Sequence, residues 1–244
     1  MIRVGIGGWN YDPWWETFYP ADLPKANELE YASRHVTAIE INATFYRTQS
    51  AASFKKWAAA TPDDFMFSVK APRAAVQRKD LREAAQSIEW FFNSGVGELG
   101  SKLGPIFYQM APYKKFDTAE MEAYFDLLPQ QLGKLKLRHA IEVRHESFAC
   151  DEFMAMARER NIAVATVDSE KHPQIGAPTA DFAYARLELT QADEPTGYAK
   201  PALKKWAKTA RDWEKSGDVF LYFISGAKER NPAAAQAMLN MLKA

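Results

Sequence analysis

The chain has 244 residues, 47% hydrophobic and 25% charged, with Lys+Arg and Asp+Glu both 31 and a formal net charge of zero. So apolar a chain offsets its ordering entropy by burial, which excludes disorder, and roughly 70–75% of the unfolded surface can be buried at this size. Zero net charge speaks against bulk electrostatic binding of nucleic acid or anionic membrane and leaves only a local basic cleft for such a partner.

Cys150 is the one cysteine, so no internal disulfide forms, and no zinc-ligand spacing occurs. No apolar run approaches the roughly 18 residues of a membrane span, and Met1–Gly8 reads as a strand, not a signal segment. The expected location is the cytoplasm, with no membrane partner.

In chain order, the first strand is expected at Arg3–Gly7, followed by the aromatic stretch Trp9–Pro20. Strands follow at Ala38–Asn42, Phe65–Lys70, Pro105–Met110, Arg138–Arg144, Ala163–Asp168, Phe182–Glu188 and Val219–Ser225. Between them, apolar residues recur at three- and four-residue steps, as helices require. Leu81, Ala84, Ala85, Ile88, Phe91 and Phe92 share one helix face; so do Met121, Tyr124, Phe125 and Leu128. Leu203, Trp206, Ala207, Ala210 and Trp213 form a third face, and Ala235, Met238, Leu239 and Leu242 a fourth. Phe54–Trp57–Ala58 and Phe153–Met156–Ala157 are shorter versions.

Repeated strand–helix units imply parallel strands with right-handed crossovers, and eight of them predict a single α/β domain over 1–244, a (β/α)8 barrel of TIM type. The Ser169–Asp181 link holds Pro173, Gly176 and Pro178, so one helix between strands six and seven is expected to be short or missing.

Side chains alternate faces along a strand. Ile39 and Ile41 oppose Glu40 and Asn42; Ile141 and Val143 oppose Glu142 and Arg144; Ala183, Ala185 and Leu187 oppose Tyr184, Arg186 and Glu188. In the sixth strand Thr166 and Asp168 oppose Ala165 and Val167. The apolar sets of a barrel meet its helices, so the polar sets point inward, towards the C-terminal mouth where barrel enzymes place their chemistry. The inferred ring is Glu40, Asn42, Lys70, Gln109, Glu142, Arg144, Asp168, Arg186 and Glu188, with Tyr222 from the last strand.

These segments also carry a resemblance. Gly5-Ile-Gly-Gly-Trp9-Asn-Tyr11-Asp-Pro-Trp14, Ile39-Glu-Ile-Asn42-Ala-Thr-Phe45-Tyr46, Phe65-Met-Phe-Ser-Val-Lys70 and Ile141-Glu-Val-Arg144-His-Glu-Ser-Phe148 resemble the YecE-like family, domain of unknown function 72. The resemblance implies a TIM barrel and carries no established reaction. It also shows two departures: Glu188-Leu189 stand where the family commonly has His-Gly, and Phe223-Ile224-Ser225 where it often has Phe-x-Asn.

Glu142 and Glu40 are the acid/base candidates, with Lys70 and Asp168 as further catalytic candidates. Lys70 would be a Schiff-base amine if its pKa were depressed, although neighbouring carboxylates are expected to raise it. Arg144, Arg186 and Lys70 can hold a phosphate or carboxylate, while Asn42, Gln109, Glu188 and Tyr222 orient polar groups. Trp9, Tyr11 and Trp14, with Phe45 and Tyr46, form either an aromatic wall for a ring or a plug over the barrel end. No cofactor is required; Glu40, Glu142, Asp168 and Glu188 leave magnesium or manganese open as a ligand. Three readings follow: an acid/base enzyme, a hydrolase, lyase or isomerase, on a small anionic molecule; a nucleic-acid-binding or processing protein; and a non-catalytic ligand-binding protein.

Overall fold

The computed structural model describes residues 1–176 and 178–243. Eight parallel strands form at the eight expected places: β1 (Ile2–Gly7), β2 (Ala38–Ile41), β3 (Met66–Lys70), β4 (Leu103–Gln109), β5 (His139–Glu142), β6 (Ile162–Val164 and Thr166–Asp168), β7 (Phe182–Leu187) and β8 (Asp218–Phe223). The two segments of β6 lie at opposite ends of the hydrogen-bonded order, which runs from Ile162–Val164 through β5, β4, β3, β2, β1, β8 and β7 to Thr166–Asp168. Only Ala165 separates them, so the sheet wraps round into a barrel with strand six interrupted at its seam.

Helices α1 (Glu28–His35), α2 (Ala43–Tyr46), α3 (Ala51–Ala59), α4 (Arg73–Val76), α5 (Ala85–Asn93), α6 (Thr118–Asp126), α7 (Asp151–Glu159), α8 (Lys200–Glu214) and α9 (Asn231–Lys243) surround it. The helix expected from Leu81 starts as a 3-10 turn, Leu81–Ala84, capped by the Asp80 side chain, before α5. The described residues between β6 and β7 contain no helix, and no described helix is long and apolar enough to cross a membrane.

Alternation within the strands sorts the core into two parts. Ile39, Ile41, Phe67, Val69, Ile141, Val143, Ala183, Ala185 and Leu187 belong to the cluster shared with the helices. Ala38, Phe107, Ala140, Ala163, Ala165, Phe182, Tyr184, Phe220 and Tyr222 belong to a second cluster inside the barrel. Large rings from β4, β7 and β8 are accommodated because β1, β2, β5 and β6 present small residues. Gly5 is required at one such place: a Cβ there would collide with the Ala38 carbonyl and the Tyr222 ring.

Candidate active site at the barrel mouth

The strand ends open into a cavity of about 780 Å³, within the size range of small-molecule sites. Beneath it lies Arg186, on the inward face of β7 and 3% exposed. Its Nη1 donates to Glu142 at 2.6 Å and to Glu188 at 2.8 Å, and its Nε donates to Glu40 at 3.2 Å. Tyr184, two residues earlier on the same face, donates its hydroxyl to Glu40 at 2.7 Å. The guanidinium sits 4.8 Å from the Phe107 ring centroid, and Phe107 stacks on Tyr184 at 5.1 Å. The other Glu142 oxygen accepts from Gln109 Nε2 at 2.9 Å and from Arg144 Nε.

Glu40 and Glu142 are fully buried. A buried ion costs several kcal/mol unless its charge is matched, so the Arg186 contacts are a condition of folding here. Burial alone would push the Glu142 carboxyl up; Arg186 and Arg144 outweigh it and hold the group below the usual carboxylate range. Glu142 is therefore ionised at neutral pH, with both oxygens engaged, and it does not line the cavity. Neither does Glu40. Both lie under the lining as partners of Arg186.

The titratable groups that do face the cavity are shifted differently. Burial, then Arg186, pushes Lys70 down to about 8, against the opposing pull of Glu40 and Glu142. The expectation that carboxylates dominate Lys70 is thus corrected: desolvation wins, and the carboxylates spend their field on Arg186. Burial also raises the Glu188 carboxyl, opposed by Arg186. Lys70 Nζ donates to Gln109 Oε1 at 2.8 Å, and the bond from Gln109 Nε2 to Glu142 fixes the amide so that its oxygen faces Lys70.

Several expected members lie elsewhere. Asp168 is on the outer side of the barrel: Leu187, its register partner, faces the helices. Its carboxylate accepts from Tyr198 Oη at 3.0 Å and from Trp206 Nε1 at 3.3 Å. The inward positions of strand six are Ala163 and Ala165, because the neighbouring rings fill that space. Tyr222 is fully buried below the mouth, hydrogen-bonded to Ser68 at 2.6 Å. Trp9 packs against Trp57 and Phe67 outside the barrel. Trp14 is buried and donates to the Lys228 carbonyl, tying the first loop to the last, and it also borders the cavity. Phe45 packs against Lys70. Tyr11, exposed Tyr46 and Asn42 line the cavity.

These placements change the charge balance. With Asp168 outside, the lining holds Lys70, Arg144, Lys171, Arg186 and Lys228 against Glu170 and Glu188, and with Glu40 and Glu142, which pair with Arg186 from below, the balance is five cations to four carboxylates. Lys171 and Lys228 escaped the sequence reading because they sit in loops after β6 and β8, where strand alternation is silent. Ser225, also on the lining, adopts φ +66°, a left-handed conformation uncommon outside glycine. Among the described residues no three or more of His, Cys, Asp and Glu are grouped to hold a metal ion; Glu40, Glu142 and Glu188 converge on a guanidinium.

The chain is 28% identical over 159 residues to the UPF0759 protein YunF of Bacillus subtilis (strain 168), an alignment covering 63% of this chain and about half of YunF, 54%. The fold matches a DUF72 family protein of Thermotoga maritima MSB8 with a TM-score of 0.80 at 22% identity, over 100% of both chains. It also matches one from Enterococcus faecalis V583 with a TM-score of 0.79 at 15% identity, over 100% of this chain and 96% of that one. The family profile described as "Protein of unknown function DUF72" matches residues 3–244. This chain belongs to the DUF72 family.

Proposed function

We propose that the barrel mouth is the active site of an enzyme acting on a small molecule that carries a phosphate or carboxylate group. The excess of cations on the cavity lining carries this reading. Arg144 is the anion-binding arm: its Nε is spent on Glu142, and among the described residues its two terminal nitrogens make no hydrogen bond. Arg186, by contrast, is committed to three carboxylates and serves as the keystone under the site. Lys70 and Glu188 are the reactive groups of the cavity, since burial lowers the Lys70 pKa to about 8 and raises the Glu188 carboxyl. Asn42 and Gln109 present amides to polar groups, and Tyr11 and Tyr46 offer ring faces at the rim.

Thermal unfolding with and without inorganic phosphate tests the reading. A ligand that binds only the folded state at a hundred times its Kd stabilises by about 2.7 kcal/mol. The expected result is a phosphate-dependent rise in Tm that Arg144→Ala removes. No rise in the wild type, or an equal rise in the variant, overturns it.

A further inference from the structure

Three lysines are buried, Lys70, Lys102 and Lys114. Two have more than one protein acceptor each. Lys102 Nζ donates to the carbonyls of Ala58 and Thr61, both at 2.6 Å, and to the Thr61 hydroxyl at 3.3 Å. Lys114 Nζ donates to Glu120 and to the Lys79 carbonyl. Lys70 differs: it alone of the three lines the mouth cavity, and among the described residues it has one acceptor, the neutral Gln109 amide. The rest of Nζ faces the cavity, where a substrate can reach it.

We propose that Lys70 is the nucleophile of the cavity and that it forms an imine with the carbonyl of a small anionic aldehyde, ketone or 2-oxo acid. The choice of an anionic substrate rests on the reading above; the reactive amine does not. The groups facing Lys70 are Gln109 from β4, Arg186 from β7, Glu40 from β2, Glu142 and Arg144 at the end of β5, and the Phe45 ring 4.4 Å from Nζ. Arg186 and Arg144 disfavour a third cation, and Glu40 and Glu142 are engaged by Arg186.

The lone pair of Nζ forms the N–C bond while the carbonyl π pair moves to oxygen, and the Glu188 carboxylate carries a proton from the new ammonium nitrogen to that oxygen. The nitrogen lone pair then forms the C=N bond as the C–O bond breaks, and the hydroxyl leaves as water with a proton drawn from solvent. The balance is amine, carbonyl and one proton giving a protonated imine and water, with no redox partner. Glu188 lines the same cavity, where its carboxylate can relay a proton between nitrogen and oxygen. The protonated imine draws electrons from an adjacent C–H or C–C bond, which places the reaction among lyases, aldolases or isomerases.

The test is reductive trapping. The whole chain is incubated near neutral pH with cyanoborohydride and either glyoxylate or acetaldehyde, and labelled lysines are mapped by peptide mass spectrometry. Lys70 is expected to be carboxymethylated by glyoxylate on the order of tenfold faster than exposed Lys208 and Lys215, because far more of it is neutral. Ethylation by acetaldehyde should be slower at Lys70, and Glu188→Gln should slow trapping by glyoxylate. Fast labelling of Lys70 by both aldehydes alike upholds the nucleophile and overturns the anion reading. Labelling of Lys70 no faster than Lys208 with either aldehyde overturns the nucleophile; a persisting phosphate effect on Tm then shows that the anion reading stands without it. Lys70→Arg, which keeps a cation, checks the assignment of the labelled peptide.

Discussion

The two ends of the barrel interior are filled with different matter. Towards the N-terminal ends of the strands the space is taken by rings, Phe182 and Phe220, packed with small residues such as Ala38 and Ala140. Towards the C-terminal ends it is taken by Arg186 and the carboxylates of Glu40, Glu142 and Glu188. The lower end is held by dispersion and water exclusion, which tolerate small errors of geometry. The upper end is held by charge matching at low dielectric, where removal of one partner strands the others. Phe107 joins the two, packing with the rings below and under the Arg186 guanidinium above. A barrel needing only stability would continue the rings upward, so the change of material marks where chemistry is expected.

The largest expected effect breaks the upper end. Arg186→Met leaves Glu40 and Glu142 buried and uncompensated and should cost roughly 3–5 kcal/mol, read from urea unfolding. Adding Glu40→Leu and Glu142→Leu to that variant should restore most of the stability, while phosphate binding is lost with the Glu142 carboxylate that positions Arg144, separating structure from function. Phe220→Ala, at the lower end, should cost roughly 3–4 kcal/mol through a cavity and leave phosphate binding intact in the folded fraction.

Acid tests the outer side of β5 and the upper end of the interior together. Burial pushes His139, at the start of β5, down to about 4. The unfolded chain then binds more protons between its ordinary value of 6.5 and that point, so stability is present above pH 6.5 and lost as pH falls towards 4. The loss is on the order of 3 kcal/mol, and His139→Phe should flatten it. Glu142, lowered by its arginines, adds a further loss in the same direction at lower pH. Arg144→Ala should cost only about 1–2 kcal/mol, because Arg186 still pairs with Glu142. The smallest effect belongs to Asp168→Asn: roughly 1 kcal/mol of stability and no change in ligand binding, since Asp168 serves Tyr198 and Trp206.

The places where sequence reasoning succeeds and fails follow the same division. All eight strands were readable, because hydrophobic alternation and helix-period spacing are local signals. So was the inward set Glu40, Lys70, Gln109, Glu142 and Arg186, whose alternate positions on strands with an evident apolar face leave no other direction. Asp168 was misplaced because alternation separates two faces without saying which is inner. A strand with Ala163 and Ala165 on one side and Asp168 on the other reads as polar-inward, until the Phe107, Tyr184 and Tyr222 rings are seen to need that space. The sign of the Lys70 shift was beyond reach for a similar reason: it depends on which cation the carboxylates contact, a three-dimensional fact. Tyr184 had a usable signal, two residues before Arg186 on the same face, that marked it as a partner of the charged network.

The central claim is that the network beneath the mouth holds Lys70 as a reactive amine while Arg186 keeps the carboxylates. The most direct measurement is the titration of Lys70 itself, by NMR of the carbon-labelled lysine side chains, with Lys70→Arg to assign the signal. The account predicts a midpoint near 8. A midpoint at or above the ordinary 10.5 would contradict it.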